Sequence, residues 1–206
     1  MKSRQSGFTL VEIAIVLVII GLLLGGVLKG QELIFNSKVK ASFNLSREMS
    51  AAVNSYMDRY GQLPGDDTLA STRFPAAAPL PVNGNGDGVI AGGAVGCANG
   101  TTASEQCEAL YELRLAGFIS GQGLNSLRTP FGGQAELAAA VNIIPAMGSS
   151  TALFYRNTGL SYKAASAIDT SFDDGLPTTG SFRCAVAAYA LNTPDTNVAG
   201  NCVMTL

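Results

Sequence analysis

Glu12 is the one charged residue between Phe8 and Leu28, in a run that is otherwise almost wholly apolar. A carboxylate inside a membrane span costs roughly 2.5–3.5 kcal/mol on insertion scales, so such an acid calls for a partner of opposite charge. Elsewhere, the residues able to do chemistry are carboxylates, amides and thiols. Histidine and tryptophan are absent. Without histidine there is no Ser-His-Asp or Cys-His catalysis and no His-liganded metal site. No GxSxG, P-loop or dinucleotide fingerprint occurs. Asp66 and Asp67 are the paired carboxylates that a tethered enzyme would use as acid and base, and adjacent acids read more simply as a solvated turn. These residues do not build an enzyme.

Two acidic stretches have the oxygens a cation would take. Asn83-Gly84-Asn85-Gly86-Asp87-Gly88-Val89-Ile90 matches the start of an EF-hand-type calcium loop: oxygen side chains at alternate positions, then a turn glycine and an apolar anchor. The glutamate expected at the end of such a loop is missing, since Ala94 stands there, and Asp66 or Asp67 could supply a carboxylate instead. A turn built from Asn, Gly and Asp for backbone reasons uses the same residues. Asp169, Asp173 and Asp174 form the second cluster. The last two fall near an expected helix C-terminus, where negative charge opposes the helix dipole and a cation would offset it. Solvated carboxylates account for the same pattern.

The elements that position these groups begin with an anchor. Met1 to Gly7 is short and polar, with Lys2 and Arg4 as its charges. The run Phe8–Leu28 is long enough to span a bilayer core of about 30 Å as a helix. The preceding basic residues place the N-terminus in the cytoplasm. An ordinary signal peptide would be cut after the apolar run, near Gly25 and Gly26, but Lys29 and a continuing helical pattern follow directly. An uncleaved signal anchor is the plain alternative.

Gly7-Phe8-Thr9-Leu10-Val11-Glu12, after a short basic leader and before an apolar helix, resembles the signature of type IV prepilins and type II secretion pseudopilins. The resemblance covers residues 1 to 28. It implies that a membrane prepilin peptidase cuts the Gly7–Phe8 bond and methylates Phe8. It also implies that the N-terminal helices stack into a filament core, with an inner-membrane assembly platform and other pilin subunits as partners. Glu12 then meets the Phe8 amine of a neighbouring subunit, and an opposite charge within about 4–6 Å favours the ionised carboxylate. Gly21 with Gly25, and Gly26 with Gly30, are small-xxx-small spacings that let helices approach closely; glycine is also simply common in membrane helices. Many type IV pilins carry a kinking proline about six turns past the cleavage site. Here Lys29 occupies that place and the first proline is Pro64. Calcium-binding loops occur in major pseudopilins, so calcium is the cofactor the resemblance admits.

Beyond the membrane the helical pattern continues. Leu45, Met49, Ala52, Val53, Tyr56, Met57 and Tyr60 recur at three- and four-residue steps, and Gly61 and Pro64 end the run. Phe8 to Tyr60 would form a helix of roughly 80 Å. Thr68 to Gly100 reads mostly as loop. Glu105–Phe118 and the stretch through Leu160, Ala164, Ile168 and Phe172 read as helices; Ala139–Ile144, Thr151–Asn157, Phe182–Leu191 and Cys202–Leu206 read as strands. The expected fold class is α+β: a long N-terminal helix, membrane-spanning in its first half, packed on a small antiparallel sheet. The expected organisation is leader 1–7, assembly helix 8–28, amphipathic continuation 29–60 and globular head 61–206.

Four cysteines in an exported head favour disulfides. Four allow three connectivities, and sequence does not choose among them; proximity favours Cys97–Cys107 and Cys184–Cys202. The second resembles the disulfide-bounded C-terminal region of many pilins. A four-thiolate zinc site lacks the CxxC spacing. Thirteen basic and fifteen acidic residues leave a net charge of −2, which argues against nucleic acid as a partner. The expected role is a structural pilus or pseudopilus subunit, major or minor, in the bacterial inner membrane as precursor and then in a periplasmic or extracellular filament. A pilin-anchored adhesin or DNA-uptake module is the alternative.

Overall fold

Residues 9–92, 97, 104–140, 144, 147, 150–155, 160–189, 191 and 201–206 are described by the structure, a computed structural model. The chain divides into two units, residues 1–38 and 39–206. Helix α1, Leu10–Tyr60, contributes to both.

Within the first unit, α1 carries an apolar window with a mean hydropathy of 2.8, none of it buried, long enough to cross a membrane. Leu10, Val16, Leu17, Leu22, Leu23 and Leu28 are all exposed. Lys29 and Glu32, one turn apart, pair at 2.7 Å. That hydrogen bond and the lysine charge hold the Glu32 carboxyl below its ordinary range.

In the second unit the rest of α1 turns one face inward: Val39, Ser42, Ser46, Met49, Ala52, Val53 and Tyr56 are buried. The expected apolar face is met at Met49, Ala52, Val53 and Tyr56. Met57, at 44% exposed, is not part of it, and two serines extend it instead. Phe43 stacks on Phe172 at a centroid distance of 4.0 Å, and Tyr56 meets the Phe118 ring edge-on at 6.4 Å. Gly61, at φ +69°, follows the last helical residue, a backbone conformation that glycine adopts without a Cβ penalty.

Helix α2 (Ala70–Arg73) is a single turn inside the stretch read as loop. Helix α3 spans Glu105–Leu115 and α4 spans Tyr162–Phe172, the latter capped by the Ser161 hydroxyl accepting from Ala164 N–H at 3.2 Å. Five strands, β1 (Leu127–Arg128), β2 (Gln134–Ala139), β3 (Thr151–Tyr155), β4 (Phe182–Cys184) and β5 (Cys202–Thr205), form one sheet in the order β1-β2-β3-β5-β4. Every pairing is antiparallel, with Leu137 opposite Leu153 and Leu153 opposite Met204. Helix α3 lies against β2 and α4 against β4. The fold is α+β, a long N-terminal helix with a five-stranded antiparallel sheet, in a pilin-like arrangement.

Two strand assignments shift and one strand was not expected. The strand expected at Ala139–Ile144 lies at Gln134–Ala139. All of Ala135 to Ala139 is buried, so no inside-outside alternation marks it, while the β-branched residues just after it imitate a strand. Residues 141–143 lie outside the described residues. The run expected to reach Leu191 leaves the sheet at Cys184, where Val186 N–H turns back to the Cys184 carbonyl at 2.8 Å. Strand β1 has only two residues, too few to show a period.

Candidate functional site

Gly7 and Phe8 lie outside the described residues; Thr9 and Glu12 do not. Thr9 donates from its backbone N–H and from its hydroxyl to Glu12 Oε2, each at 2.8 Å. Glu12 N–H donates back to Thr9 Oγ1 at 3.3 Å. This reciprocal pair is a capping box, which satisfies donors at the start of a helix that have no intrahelical partner. Thr-x-x-Glu before an apolar run is legible in sequence as that device. Glu12 therefore starts α1 and also stands exposed on it. A Cβ added at Gly21, Gly25, Gly26 or Gly30 meets nothing within 4 Å, so both small-residue faces are open.

In the head, the turn acids are buried rather than solvated: Asp66 is 3% and Asp67 0% exposed. Asp66 accepts from Gly86 N–H at 2.5 Å and from Gly88 N–H at 2.6 Å, one on each oxygen. Asp67 Oδ2 accepts from the Tyr56 hydroxyl at 2.8 Å and Arg73 Nε at 2.6 Å. Glu105 Oε2 accepts from Ala91 N–H at 2.7 Å; burial raises its pKa, with the Asp66 and Asp87 charges adding to the rise.

The EF-hand-like residues do not converge as that loop would have them. Asn83 Oδ1 accepts from Ser71 N–H at 2.8 Å, and Asn85 Oδ1 from Asp87 N–H at 2.8 Å. Asp87 Oδ1 in turn accepts from Val89 N–H at 2.9 Å. These are side-chain-to-backbone turns, the local bonding that favours Asn and Asp in loops. What the fold does gather is one oxygen each from Asp66, Asp87 and Glu105, mutually within 4.8 Å.

The second cluster is also drawn together, with oxygens of Asp169, Asp173 and Asp174 within 4.8 Å of one another. Asp169 accepts from Gly175 N–H at 2.9 Å and the Tyr189 hydroxyl at 2.5 Å. Asp173 accepts from Phe182 N–H at 2.7 Å and Asp174 from Leu176 N–H at 2.9 Å. Burial raises the Asp169 pKa, whereas the Thr179 hydroxyl lowers that of Asp174.

Cys97 is joined to Cys107, and Cys184 to Cys202. The first ties the chain at residue 97 to α3; the second crosses the edge pair β4–β5, whose register sets those two residues opposite each other. Sequence reading missed the buried polar side chains Gln106, Glu108, Glu112 and Glu136. Glu136 accepts from Gln106 Nε2 at 2.6 Å, the Ser126 hydroxyl at 2.5 Å and Cys97 N–H at 3.1 Å.

Residues 2–28 match the family model of the prokaryotic N-terminal methylation motif. Within that match, Leu10 to Leu28 belongs to a helix apolar and long enough to cross a membrane. It is 37% identical over 71 residues to the fimbrial protein EcpC of Eikenella corrodens. That match covers 34% of this chain and 46% of the relative, so the chain spans under half the length of the curated relative it matches. No solved structure matches the chain.

Proposed function

We propose that this chain is a structural subunit, major or minor, of a type IV pilus or a type II secretion pseudopilus. The observation that carries the reading is Gly7-Phe8-Thr9-Leu10-Val11-Glu12 inside the methylation motif, with Leu10 as the first residue of α1. A prepilin peptidase cuts Gly7–Phe8, and Phe8 becomes the methylated N-terminus. The Phe8 amine of one subunit then faces Glu12 of the next, and the attraction offsets part of the cost of desolvating both charges. Gly21, Gly25, Gly26 and Gly30 give neighbouring helices room for close approach. The precursor sits in the bacterial inner membrane with Lys2 and Arg4 on the cytoplasmic side. An assembly platform there passes it into a periplasmic or extracellular filament. Co-expression with a prepilin peptidase should remove Met1 to Gly7. Mass spectrometry finding Met1 retained, or a cut near Gly26, overturns the reading.

Calcium in the head is a separate reading, favoured by the convergence of three carboxylates at each acidic cluster. Calcium takes about 6–8 oxygens, so backbone carbonyls and water would complete either set. Calorimetric titration should then register heat of binding, and chelator should lower the melting temperature. A flat titration together with an unmoved melting temperature rejects it.

A further inference from the structure

Two Asn-Gly pairs, Asn83-Gly84 and Asn85-Gly86, stand side by side in one loop. Asparagine before glycine is open to attack by the following backbone nitrogen on its own side-chain carbonyl carbon, because glycine has no Cβ to obstruct the approach. The fold treats the two pairs differently. Asn83 is clamped: its Oδ1 accepts from Ser71 N–H at 2.8 Å, and Gly84 N–H donates to the Asp67 carbonyl at 2.9 Å. Gly84 is also pressed so closely on the Asp66 backbone that a Cβ there would collide. Both asparagines are exposed, but Asn85 meets Asp87 at both ends of its amide and is followed by a glycine whose N–H meets a carboxylate, not a carbonyl.

Two of these contacts fall where the cyclisation needs them, on the attacking nitrogen and on the carbonyl oxygen, and the third fixes the amide. The buried Asp66 carboxylate holds the N–H of Gly86, the attacking nitrogen, at 2.5 Å, which is the reach of a general base. Asp87 N–H donates to Asn85 Oδ1 at 2.8 Å, on the oxygen that becomes negative in the tetrahedral intermediate. Asn85 Nδ2, the departing nitrogen, donates to Asp87 Oδ2 at 3.0 Å.

We propose that Asn85 is a self-deamidation site served by Asp66 and Asp87. Gly86 N gives its proton to Asp66 and bonds to Asn85 Cγ. The bond from Cγ to the side-chain nitrogen breaks, and that nitrogen takes the proton and leaves as ammonia. Water then opens the cyclic imide, leaving aspartate or isoaspartate at position 85. The balance is one water consumed and one ammonia released, with no oxidant or reductant. The product sets a new carboxylate beside Asp66, Asp87 and Glu105 and removes the donor that Asp87 Oδ2 now accepts. Loop 83–88 becomes more acidic as the subunit ages.

The test incubates the full-length chain in detergent at mildly alkaline pH and follows the mass gain of each Asn-Gly peptide over days. Asn85 should convert about tenfold faster than Asn83, and Asp66→Asn should slow it by a similar factor. Equal rates at the two sites, or faster conversion of Asn85 in Asp66→Asn, overturn the proposal. Should that variant not fold, the urea-unfolded wild-type chain replaces it as reference: the preference for Asn85 must vanish there, and its persistence would assign it to local sequence alone.

Discussion

Tyr56 on α1 donates its hydroxyl hydrogen to Asp67 Oδ2 at 2.8 Å, across the turn that ends the helix. Both side chains are fully buried, and burial together with the nearby carboxylates keeps the phenol protonated far above its usual range. Arg73 Nε shares the same oxygen at 2.6 Å. Tyr56→Phe keeps the ring and removes one donor from a buried charge, a loss of about 1–3 kcal/mol. Urea unfolding of the full chain should show it as a lower midpoint at unchanged slope. An unmoved midpoint would mean that Arg73 and the Leu69 N–H compensate Asp67 without the phenol.

Glu112, on α3, gives the head a pH dependence of definite sign. Its Oε2 accepts from Gly65 N–H at 2.8 Å, while Oε1 is buried with no hydrogen-bond partner among the described residues. Burial, with the Asp67 and Glu108 charges adding to it, raises the pKa from 4.5 to about 8. The folded state therefore keeps a proton that the unfolded chain releases. Stability from this group is complete below pH 4.5 and declines as pH rises towards 8. Glu112→Gln holds the neutral shape and should flatten that decline in melting temperature. The same decline in the variant would assign it to other groups.

Glu136 on β2 gathers donors from three places: Gln106, Ser126 and the backbone at Cys97. Glu136→Ala strands several buried donors at once and should cost roughly 2–4 kcal/mol, more than an exposed carboxylate could. Glu48, exposed on α1, is the control, and Glu48→Ala should change the denaturation midpoint little. Equal midpoints for the two variants would refute the role given to Glu136.

The Cys184–Cys202 bridge closes a span of 18 residues across the β4–β5 edge. Replacing both cysteines by serine should lower stability by about 2–4 kcal/mol. Hydrogen exchange should report the loss first at Ala185 and Thr205, whose N–H groups donate across that edge to the Asn201 and Ser181 carbonyls. Unaltered protection there would show that the sheet edge holds without the bridge.

What was legible in the sequence follows from where each signal originates. The end of α1 at Tyr60 could be read because a three-and-four spacing stops at Gly61 and Pro64, residues that speak for their own backbone. Helices α3 and α4 show the same local periodicity. Strand β2 could not, since Ala135 to Ala139 is covered throughout and shows no alternation, and its alanines lack the β-branched enrichment that marks a buried strand. The buried acids were hidden for a different reason. Asp66, Glu108 and Glu112 look like surface charges until Gly86, Val82 and Gly65 arrive from other segments with backbone N–H groups. Thr9 and Glu12 lie at the opposite extreme, their spacing alone specifying the capping box found.

That capping box separates two roles of Glu12 which an alanine substitution would confuse. Glu12→Ala removes both the acceptor for Thr9 and the negative charge, so a loss of filament incorporation would have two explanations. Glu12→Gln keeps a side-chain oxygen able to accept from Thr9, since glutamine serves in capping boxes as glutamate does, and removes only the charge. If the carboxylate pairs with the Phe8 amine of the next subunit, both variants should be cleaved by the peptidase yet fail to enter filaments in a shearing assay. Incorporation of Glu12→Gln at the wild-type level, with Glu12→Ala excluded, would assign the acid to helix initiation and remove the charge pair from the assembly mechanism.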